Sequence, residues 1–366
     1  MEFLNKNILI ISTEAWGNNH ITKHHYAKEL AKLGNQVYFL NPASQKFKVA
    51  NVLDNLTVID YKPKFRGLNR MPSLLRNTLN KIELKSIYKL AGITKLDLVW
   101  SFDPFRFQNL KLFKAQKAIY YPADVHQIAL EPQTADTADV VVSITPSILD
   151  RLAVNTPKKL IHHALGSSFA AATELFPLQE KQNKPIQCGY VGNLNSKYLD
   201  TAAMQQIIAD NPAVEFHIMG PYKANDNNLG KGASNAELIT FLEQQKHVKL
   251  YGSVAPTDLA KLIHQFDMFL LCYNADKFRQ EVSNSHKFME YLSTGKVTVA
   301  NHMIAFESYQ ELLEMTDTQA ELPYRFKSTL KELSKHNSLS LQQKRRTFSL
   351  SNTYTNQVKK IETFLA

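Results

Sequence analysis

Short apolar runs alternate with segments of helical periodicity along almost the whole of this 366-residue chain. Such runs are typical of strands buried on both faces of a sheet, and the helices between them supply the crossovers that parallel strands need. The alternation therefore predicts an α/β protein built on parallel sheets. The predicted strands are residues 8–12, 37–40, 96–101, 118–121, 140–144, 160–163, 186–191, 214–219, 248–251, 267–272 and 297–300.

The alternation is interrupted once, between residues 166 and 185, where Ser, Ala, Gln, Lys and Pro dominate. This interruption predicts a linker between two Rossmann-like, doubly wound domains. Ligands of such sheets bind beyond the carboxyl ends of the strands, so we expect the site in a central cleft that both domains face. The expected divisions are an N-terminal domain 1–168, a linker 169–184, a C-terminal domain 185–345 and a C-terminal helix 346–366.

The apolar runs are all far shorter than the roughly 20 residues that a membrane-spanning helix needs. The N-terminus does not have the features of a signal peptide, and we therefore expect a cytoplasmic protein. Cys188 and Cys272 lie in separate apolar runs without a nearby metal-binding pattern. They are interpreted as reduced core thiols.

Positive charge is concentrated in the first half of the chain. Residues 1–168 carry 22 Lys and Arg against 13 Asp and Glu, and residues 62–95 carry nine cations against the single acid Glu83. Leu and Ile recur between these cations at helical spacing, which is typical of basic helices that rest on anionic membranes. A surface helix that packs its apolar stripe on its own domain explains the pattern equally well. No nucleic-acid-binding motif accompanies the charge, so we expect no nucleic acid as a partner.

The most informative segment lies in the second half and begins with hydroxyl and amide side chains. Ser283, Asn284 and Ser285 are candidate caps of a short helix that Gly295 would end. Free backbone N–H groups and the helix dipole make such a terminus an anion site, and Lys287 in the first turn adds a full positive charge. A phosphate group would bind there.

Glu290 follows Lys287 by three residues, which places both side chains on one face of the helix. A cation for a diphosphate followed by a carboxylate for ribose hydroxyls suits a sugar nucleotide. On spacing alone, an ordinary surface ion pair is the favoured interpretation. The complete pattern around the two residues changes that balance.

The pattern N-x-x-K-x-x-E-Y-L-x-x-G-K-x-x-V, from Asn284 to Val299, resembles the donor-binding segment of glycosyltransferases with the two-domain GT-B fold. Residues 189–194 look like the glycine loop of that family's nucleotide domain. The segment 248–269 is similar to the family's base-binding segment, and the segment 351–365 is similar to its terminal helix. The resemblance implies two GT-B domains and a helix 346–366 that returns to the N-terminal domain. It also implies that Lys287 contacts the donor diphosphate and Glu290 the ribose.

The same resemblance assigns further donor contacts to Gly192 and Asn193 in the glycine loop, and Arg279 is a candidate second diphosphate contact. Many retaining members carry another Glu eight positions before the ribose-binding one. Here that position is Val282, with Glu281 one place out of register. The departure predicts an inverting mechanism.

Inverting transfer needs a base that takes the proton of the acceptor hydroxyl. Asp124, just beyond the strand 118–121, is the first candidate, and a carboxylate there resembles inverting members that act on lipid-linked sugars. A turn or cap role for Asp124 is nearly as well supported. Asp103 and His20 lie beyond other strands and are the alternatives on the acceptor side. No metal-binding Asp pair follows a strand, so we expect no metal and no cofactor.

The resulting hypothesis is a cytoplasmic glycosyltransferase, possibly peripheral on the inner membrane face, that uses a nucleotide-diphosphate sugar. Its acceptor would be a glycan or a lipid-linked sugar, and the family resemblance points to cell-surface polysaccharides of the teichuronic-acid type. Two alternatives share the architecture, namely a nucleotide-sugar epimerase and a non-catalytic nucleotide-sugar-binding protein.

Overall fold

The computed structural model describes residues 2–17, 20–123, 128–180, 182–222 and 235–365. The chain divides into two compact units. The first unit comprises Met1–His162 and Tyr354–Ala366, and the second unit comprises His163–Thr353.

The first unit is built on one sheet. Its strands are β1 (Asn7–Ile11), β2 (Gln36–Leu40), β3 (Lys48–Leu53), β4 (Leu56–Asp60), β5 (Leu98–Ser101), β6 (Lys117–Tyr120), β7 (Val140–Ser143) and β8 (Lys158–Leu160). They lie in the order β3-β4-β2-β1-β5-β6-β7-β8, and β3 pairs antiparallel with β4 while the other neighbours are parallel. The order reverses direction beside β1, which is where open α/β sheets place their ligands.

Both faces of this sheet are buried. Ile8 and Ile10 of β1 belong to one apolar cluster, whereas Leu9 and Ile11 belong to another. Because successive side chains of a strand point to opposite faces, the two clusters lie on opposite sides of the sheet. The helices that precede the second unit are α1 (Thr22–Lys32), α2 (Ser73–Ala91), α3 (Glu131–Asp136) and α4 (Pro146–Arg151).

The second unit repeats the scheme with a smaller, fully parallel sheet. Its strands are β9 (Ile186–Val191), β10 (Val214–Met219), β11 (Val248–Gly252), β12 (Met268–Leu271), β13 (Val297–Ala300) and β14 (Glu314–Met315), in the order β11-β10-β9-β12-β13-β14. Its helices are α5 (Ser167–Leu175), α6 (Thr201–Asp210), α7 (Ala236–Gln244), α8 (Pro256–Leu262), α9 (Ala275–Phe278), α10 (His286–Thr294), α11 (Leu322–Lys331), α12 (Leu333–His336) and α13 (Leu339–Ser351). The α/β class with two parallel-sheet domains is confirmed.

The last helix, α14 (Tyr354–Phe364), belongs to the first unit. Val358 and Ile361 are fully buried in the same apolar cluster as Tyr26 and Leu30 of α1. Thr355 also donates a hydrogen bond to Glu29 of α1. The chain therefore completes the first unit only after the second unit has been traversed.

The structure differs from the sequence-based boundaries in the expected linker. Residues 167–175 form helix α5, whose Phe169 and Ala172 are buried in a core cluster of the second unit. Small residues such as Ala and Ser weaken the periodic signal of this helix, because they contribute little to an apolar stripe. The sequence analysis also did not predict strands β3 and β4. In β3 every residue is at least partly exposed, so the strand does not appear as an apolar run.

Candidate active site

Helix α10 in the second unit forms where the sequence predicts it. Ser285 precedes it in extended conformation, with φ −118° and ψ 126°. Gly295 ends it with φ +83°, a left-handed conformation that glycine adopts without strain. A Cβ atom at Gly295 would lie 3.0 Å from side-chain carbons of Gln342 and Leu178, so close packing also favours glycine there.

The hydroxyl groups before α10 are used within the protein. Ser283 is buried and donates a hydrogen bond to the carbonyl of Gln280 at 2.7 Å. The Ser285 hydroxyl lies 3.2 Å from the Tyr273 hydroxyl and does not cap the helix. Asn284 is half-buried between them. The two serines thus shape the entry into α10, while no side-chain cap from Ser285 occupies the N–H groups of the first turn.

Lys287 and Glu290 form the predicted pair on α10. Nζ of Lys287 lies 3.5 Å from Oε2 of Glu290, and both side chains are mostly buried. Burial raises the pKa of Glu290, and the neighbouring Lys287 charge opposes that rise only in part. Oε2 of Glu290 is buried and has no hydrogen-bond donor of normal geometry among the described residues. The pair is therefore unlike a solvated surface ion pair, because both side chains are mostly buried and Lys287 approaches the carboxylate only at 3.5 Å.

The glycine turn after β9 is joined to α10 through Tyr291. The Tyr291 hydroxyl accepts a hydrogen bond from the backbone N–H of Val191 at 2.7 Å, and its ring stacks on Phe269 with centroids 4.3 Å apart. Gly192 then donates its N–H to the carbonyl of Met219 at 2.8 Å. Tyr291 thus fixes the turn relative to the helix that carries Lys287 and Glu290.

Close packing explains two glycines here, Gly192 in the turn after β9 and Gly220 directly after β10. A Cβ on Gly192 would lie 2.6 Å from the Tyr190 hydroxyl. A Cβ on Gly220, whose φ is +141°, would lie 1.9 Å from the Gly192 carbonyl oxygen. Asn193 follows Gly192 in the chain, and its side chain accepts a hydrogen bond from the backbone N–H of Asn195. Gly192 and Asn193 therefore lie in the predicted turn, which Tyr291 ties to α10.

Arg279 is the remaining donor-side candidate. It directly follows α9 and is exposed to solvent. The structure does not bring it into contact with Lys287 or Glu290 through any hydrogen bond or ion pair among the described residues.

Asp124, the first candidate for the base, lies outside the described residues. Asp103 is buried, and both of its oxygens are used. Oδ1 accepts the backbone N–H groups of Phe105 and Arg106, and Oδ2 accepts the Arg106 side chain at 2.5 Å. The Arg106 side chain also donates hydrogen bonds to the backbone carbonyl oxygens of Ser12 and Asn41. This arrangement favours a structural role for Asp103, which ties together the turns after three strands.

His20 lies beyond β1 against the rings of Trp16 and His24. Its Nδ1 is 2.6 Å from Nζ of Lys28. Burial and, second, the Lys28 charge lower the pKa of His20, so the imidazole is neutral at pH 7 and can accept a proton.

The basic segment 62–95 contains α2, and its apolar residues divide between two faces. Leu84 and Ile87 are buried, whereas Leu74 is 82% exposed. The exposed face combines apolar and cationic side chains, namely Leu74, Leu75, Lys81, Ile82, Lys85 and Lys89. Arg76 is buried and donates to the carbonyl of Met71 and to the side chain of Gln133, so it does not belong to this face.

Within the described residues, no helix is long and apolar enough to span a membrane. In the same part of the chain, no group of three or more His, Cys, Asp or Glu side chains is arranged to hold a metal ion. Cys188 and Cys272 are buried, and burial raises the pKa of both thiols.

The sequence analysis missed two side chains that the geometry singles out. Tyr291 connects the glycine turn to α10, and its place in an apolar helix face gave no reason to expect a polar contact. Glu83 is buried on α2 despite nine surrounding cations in the sequence. Its isolation as the only acid of that segment was a usable signal.

Solved structures share the fold over nearly the whole chain. Sucrose-phosphate synthase from Thermosynechococcus elongatus matches with a TM-score of 0.66 at 14% identity, covering 98% of this chain and 99% of the other. HepE from Anabaena, solved in complex with UDP-glucose, matches with a TM-score of 0.60 at 13% identity over 98% and 99%. AviGT4, a glycosyltransferase involved in avilamycin A biosynthesis, matches with a TM-score of 0.58 at 12% identity over 98% and 97%.

These neighbours are glycosyltransferases of the GT-B fold, and the predicted fold is confirmed. At such low identities the likeness establishes the fold. No protein-family model matches the sequence, and no curated protein matches it.

Proposed function

We propose that this protein is a glycosyltransferase that transfers a sugar from a nucleotide-diphosphate sugar to a glycan or lipid-linked acceptor. The observation that carries the proposal is the buried Lys287–Glu290 pair, in which Lys287 is the neighbouring cation of Oε2 at 3.5 Å and no hydrogen bond of normal geometry reaches that oxygen among the described residues. The fold shared with glycosyltransferases, one of them bound to UDP-glucose, supports the same function.

The donor nucleotide would bind at the first turn of α10. The ammonium group of Lys287 and the N–H groups of that turn attract a diphosphate, whose charge increases as the sugar leaves. Ribose hydroxyls would donate to Glu290, and the turn at Gly192 would let the backbone approach the nucleotide. Because cations of the protein offset the leaving charge, we propose that no divalent ion is needed and that no cofactor takes part.

In the proposed inverting reaction, an acceptor hydroxyl attacks the anomeric carbon as the bond to the diphosphate breaks. A base removes the hydroxyl proton in that step. We assign this role to Asp124. His20 is the next candidate, because its neutral imidazole can accept a proton, whereas both oxygens of Asp103 are occupied by Phe105 and Arg106.

The donor site is tested by the melting temperature with nucleotides and nucleotide sugars, in buffer containing EDTA. A ligand that binds only the folded chain raises the melting temperature. We expect one nucleoside diphosphate and its sugar to do so, and Lys287→Ala and Glu290→Ala to abolish the increase. Lys277→Ala is the matched control, since Lys277 is an exposed lysine of the neighbouring helix α9. Unchanged shifts in both site variants would refute the donor site.

Catalysis is tested by incubating the protein with the stabilising nucleotide sugar, with and without lipid-linked and glycan acceptors. Acceptor-dependent release of the nucleoside diphosphate supports transfer, and its loss in Asp124→Asn supports the assigned base. Isomerised nucleotide sugar in the absence of acceptor would indicate an epimerase. Binding without turnover on any acceptor would indicate a sensor.

We further propose that the exposed face of α2 rests on an anionic membrane surface, where a lipid-linked acceptor would be found. Leu74, Leu75 and Ile82 are exposed beside Lys81, Lys85 and Lys89. Lysines near an anionic surface contribute about 1 kcal/mol each to binding. This pattern favours a membrane-binding face over a stripe packed on its own domain, because these three apolar residues lie on the solvent side.

Flotation with vesicles of phosphatidylcholine, with and without phosphatidylglycerol, tests this surface. We expect binding only to the anionic vesicles and its loss when Lys81, Lys85 and Lys89 are changed to Gln. The control changes Lys327, Lys331 and Lys344, three exposed lysines of the second unit. Equal loss in the control would mean that net charge alone drives binding, and no binding by the unaltered protein would refute the surface.

A further inference from the structure

The first unit contains a cavity of about 270 Å³ beside α2. It lies where the chain leaves β4 and β5, at the carboxyl edge of the sheet. Four of its lining residues are aromatic and three are charged, namely Tyr61, Phe65, Phe105, Phe107, Arg70, Glu83 and Arg106. Its volume is close to the lower end of the range for small-molecule sites, about 300 Å³.

The aromatic residues differ in exposure. Tyr61 and Phe107 are buried, and their ring centroids lie 6.3 Å apart at an interplanar angle of 38°. Phe65 is half-buried, and Phe105 is 44% exposed. The cavity is therefore lined by apolar ring surface from its interior to its mouth.

Glu83 supplies a polar acceptor to this apolar cavity. The residue is 2% exposed, its Oε2 accepts the backbone N–H of Lys64 at 2.9 Å, and the backbone N–H of Phe65 also stabilises the carboxylate. Its Oε1 is buried and has no hydrogen-bond partner of normal geometry among the described residues. Burying an acceptor without a donor lowers stability, so a ligand that brings a donor to this oxygen is favoured.

The lining also includes a strained backbone position. Phe107 has φ +53°, in the left-handed region that bulky residues rarely adopt. The preceding residue, Arg106, is held by Asp103 and by the Tyr61 hydroxyl at 3.0 Å. Strained residues of this kind persist where surrounding contacts fix them, often at ligand sites.

We propose that this cavity binds a sugar ring. Pyranose rings present C–H faces that pack on aromatic side chains and hydroxyl groups that donate hydrogen bonds. A purely apolar ligand would leave Oε1 of Glu83 without a donor, whereas a sugar hydroxyl supplies one. In the proposed transferase the ring belongs to the acceptor. That role rests on the proposed function, whereas binding of the ring does not.

Saturation-transfer NMR with the whole protein tests the cavity. The probes are the methyl glycosides of glucose, galactose, mannose and N-acetylglucosamine. We expect signals from at least one glycoside and a loss of affinity of about tenfold or more in Glu83→Gln, which removes a charged acceptor. Phe105→Ala should weaken binding similarly. Because Phe105 is exposed, that variant tests the site even if Glu83→Gln fails to fold.

Phe47→Ala is the matched control, since Phe47 is 43% exposed in the same unit and does not line the cavity. Its affinity should equal that of the unaltered protein. The proposal is overturned if no glycoside binds, if Phe105→Ala and a folded Glu83→Gln bind normally, or if Glu290→Gln removes the signal instead. Preferential binding of tetramethylammonium would overturn it in favour of a cation site. Melting-temperature shifts with nucleotide sugars, measured on the same samples, test the donor site separately.

Discussion

Two acidic residues, one in each unit, show how differently a buried carboxylate can be treated. Asp103 in the first unit accepts two backbone N–H groups and the Arg106 side chain. Glu290 in the second unit faces Lys287 at 3.5 Å, and its Oε2 has no hydrogen-bond donor of normal geometry among the described residues. The fold supplies hydrogen-bond donors to both oxygens of Asp103, but none of normal geometry to Oε2 of Glu290 among the described residues.

This difference separates a structural acid from a candidate ligand-binding acid. A buried charge that is paired and hydrogen-bonded cannot lose one partner without a large cost in stability. A buried acceptor without a donor lowers stability in the absence of ligand, and it binds tightly to a ligand that supplies the donor. Both residues are buried acids that the sequence marks as candidates, so the hydrogen bonds decide between them.

The largest expected effect is on the stability of the first unit. Asp103→Ala leaves Arg106 buried without its counter-ion, which should lower the free energy of unfolding by about 3–5 kcal/mol. Both tryptophans of the chain, Trp16 and Trp100, lie in the first unit. Urea unfolding followed by tryptophan fluorescence therefore reports this unit specifically. Asp150→Ala, which removes an exposed acid of the same unit, should have little effect.

If the folded Asp103→Ala protein were as stable as the Asp150→Ala control but had lost all transfer, Asp103 would be the base. The structural interpretation of this residue would then be wrong.

A smaller effect of the opposite kind is expected at Glu290. Glu290→Gln keeps the shape of the side chain but removes a buried charge, so thermal stability should be unchanged or higher. Affinity for the nucleotide sugar should fall by about tenfold or more, because hydrogen bonds to charged groups contribute about 1.5–3 kcal/mol. Calorimetric titration measures the affinity, and Glu281→Gln is the exposed control. A loss of stability without a loss of affinity would show that Glu290, like Asp103, has a structural role.

The smallest effect is the dependence of stability on pH. Burial raises the pKa of Glu290 above its ordinary value of 4.5, so the folded chain holds this proton more tightly than the unfolded chain. Stability from this group is present below pH 4.5 and is lost as pH rises through the raised pKa. Comparing melting temperatures of the unaltered protein and Glu290→Gln across this range isolates the contribution. We expect the difference in slope to stay under about 1.4 kcal/mol per pH unit. Parallel curves would show that Glu290 has no raised pKa.

The strands of the second unit were largely predictable from the sequence. Residues 186–191, 214–219 and 297–300 were predicted as strands and form β9, β10 and β13 with the same bounds. Strands buried on both faces appear as continuous apolar runs, and this signal does not depend on the rest of the fold. Helix α10 was predictable for a related reason, since a glycine ends it and its apolar face is regular.

Elements stabilised by distant contacts were not predictable. Helix α5 is rich in Ala and Ser, and only the burial of Phe169 and Ala172 in the second unit distinguishes it from a linker. Strand β3 is exposed and is defined by its antiparallel pairing with β4. Tertiary contacts decide both cases, and local patterns do not record them.

The candidate site residues likewise divide into those that local sequence patterns predict and those that depend on tertiary contacts. Lys287 and Glu290 were found because their spacing on one helix turn is a local property. Whether Asp103 is satisfied depends on Arg106 and on the turns that Arg106 reaches, and whether Glu83 is buried depends on the loop before α2. Those contacts belong to the folded unit, so the sequence could name Asp103 as a candidate but could not show that both of its oxygens are occupied.

The return of α14 to the first unit affects the order in which the two units can fold during translation. Tyr26 and Leu30 are translated before the whole second unit, whereas their partners Val358 and Ile361 are translated after it. Translation at 5–20 residues per second inserts a delay of about 10–40 s while the second unit is made. During that interval the apolar side chains of α1 that later pack against α14 are uncovered in the nascent first unit. They form a surface to which a chaperone can bind.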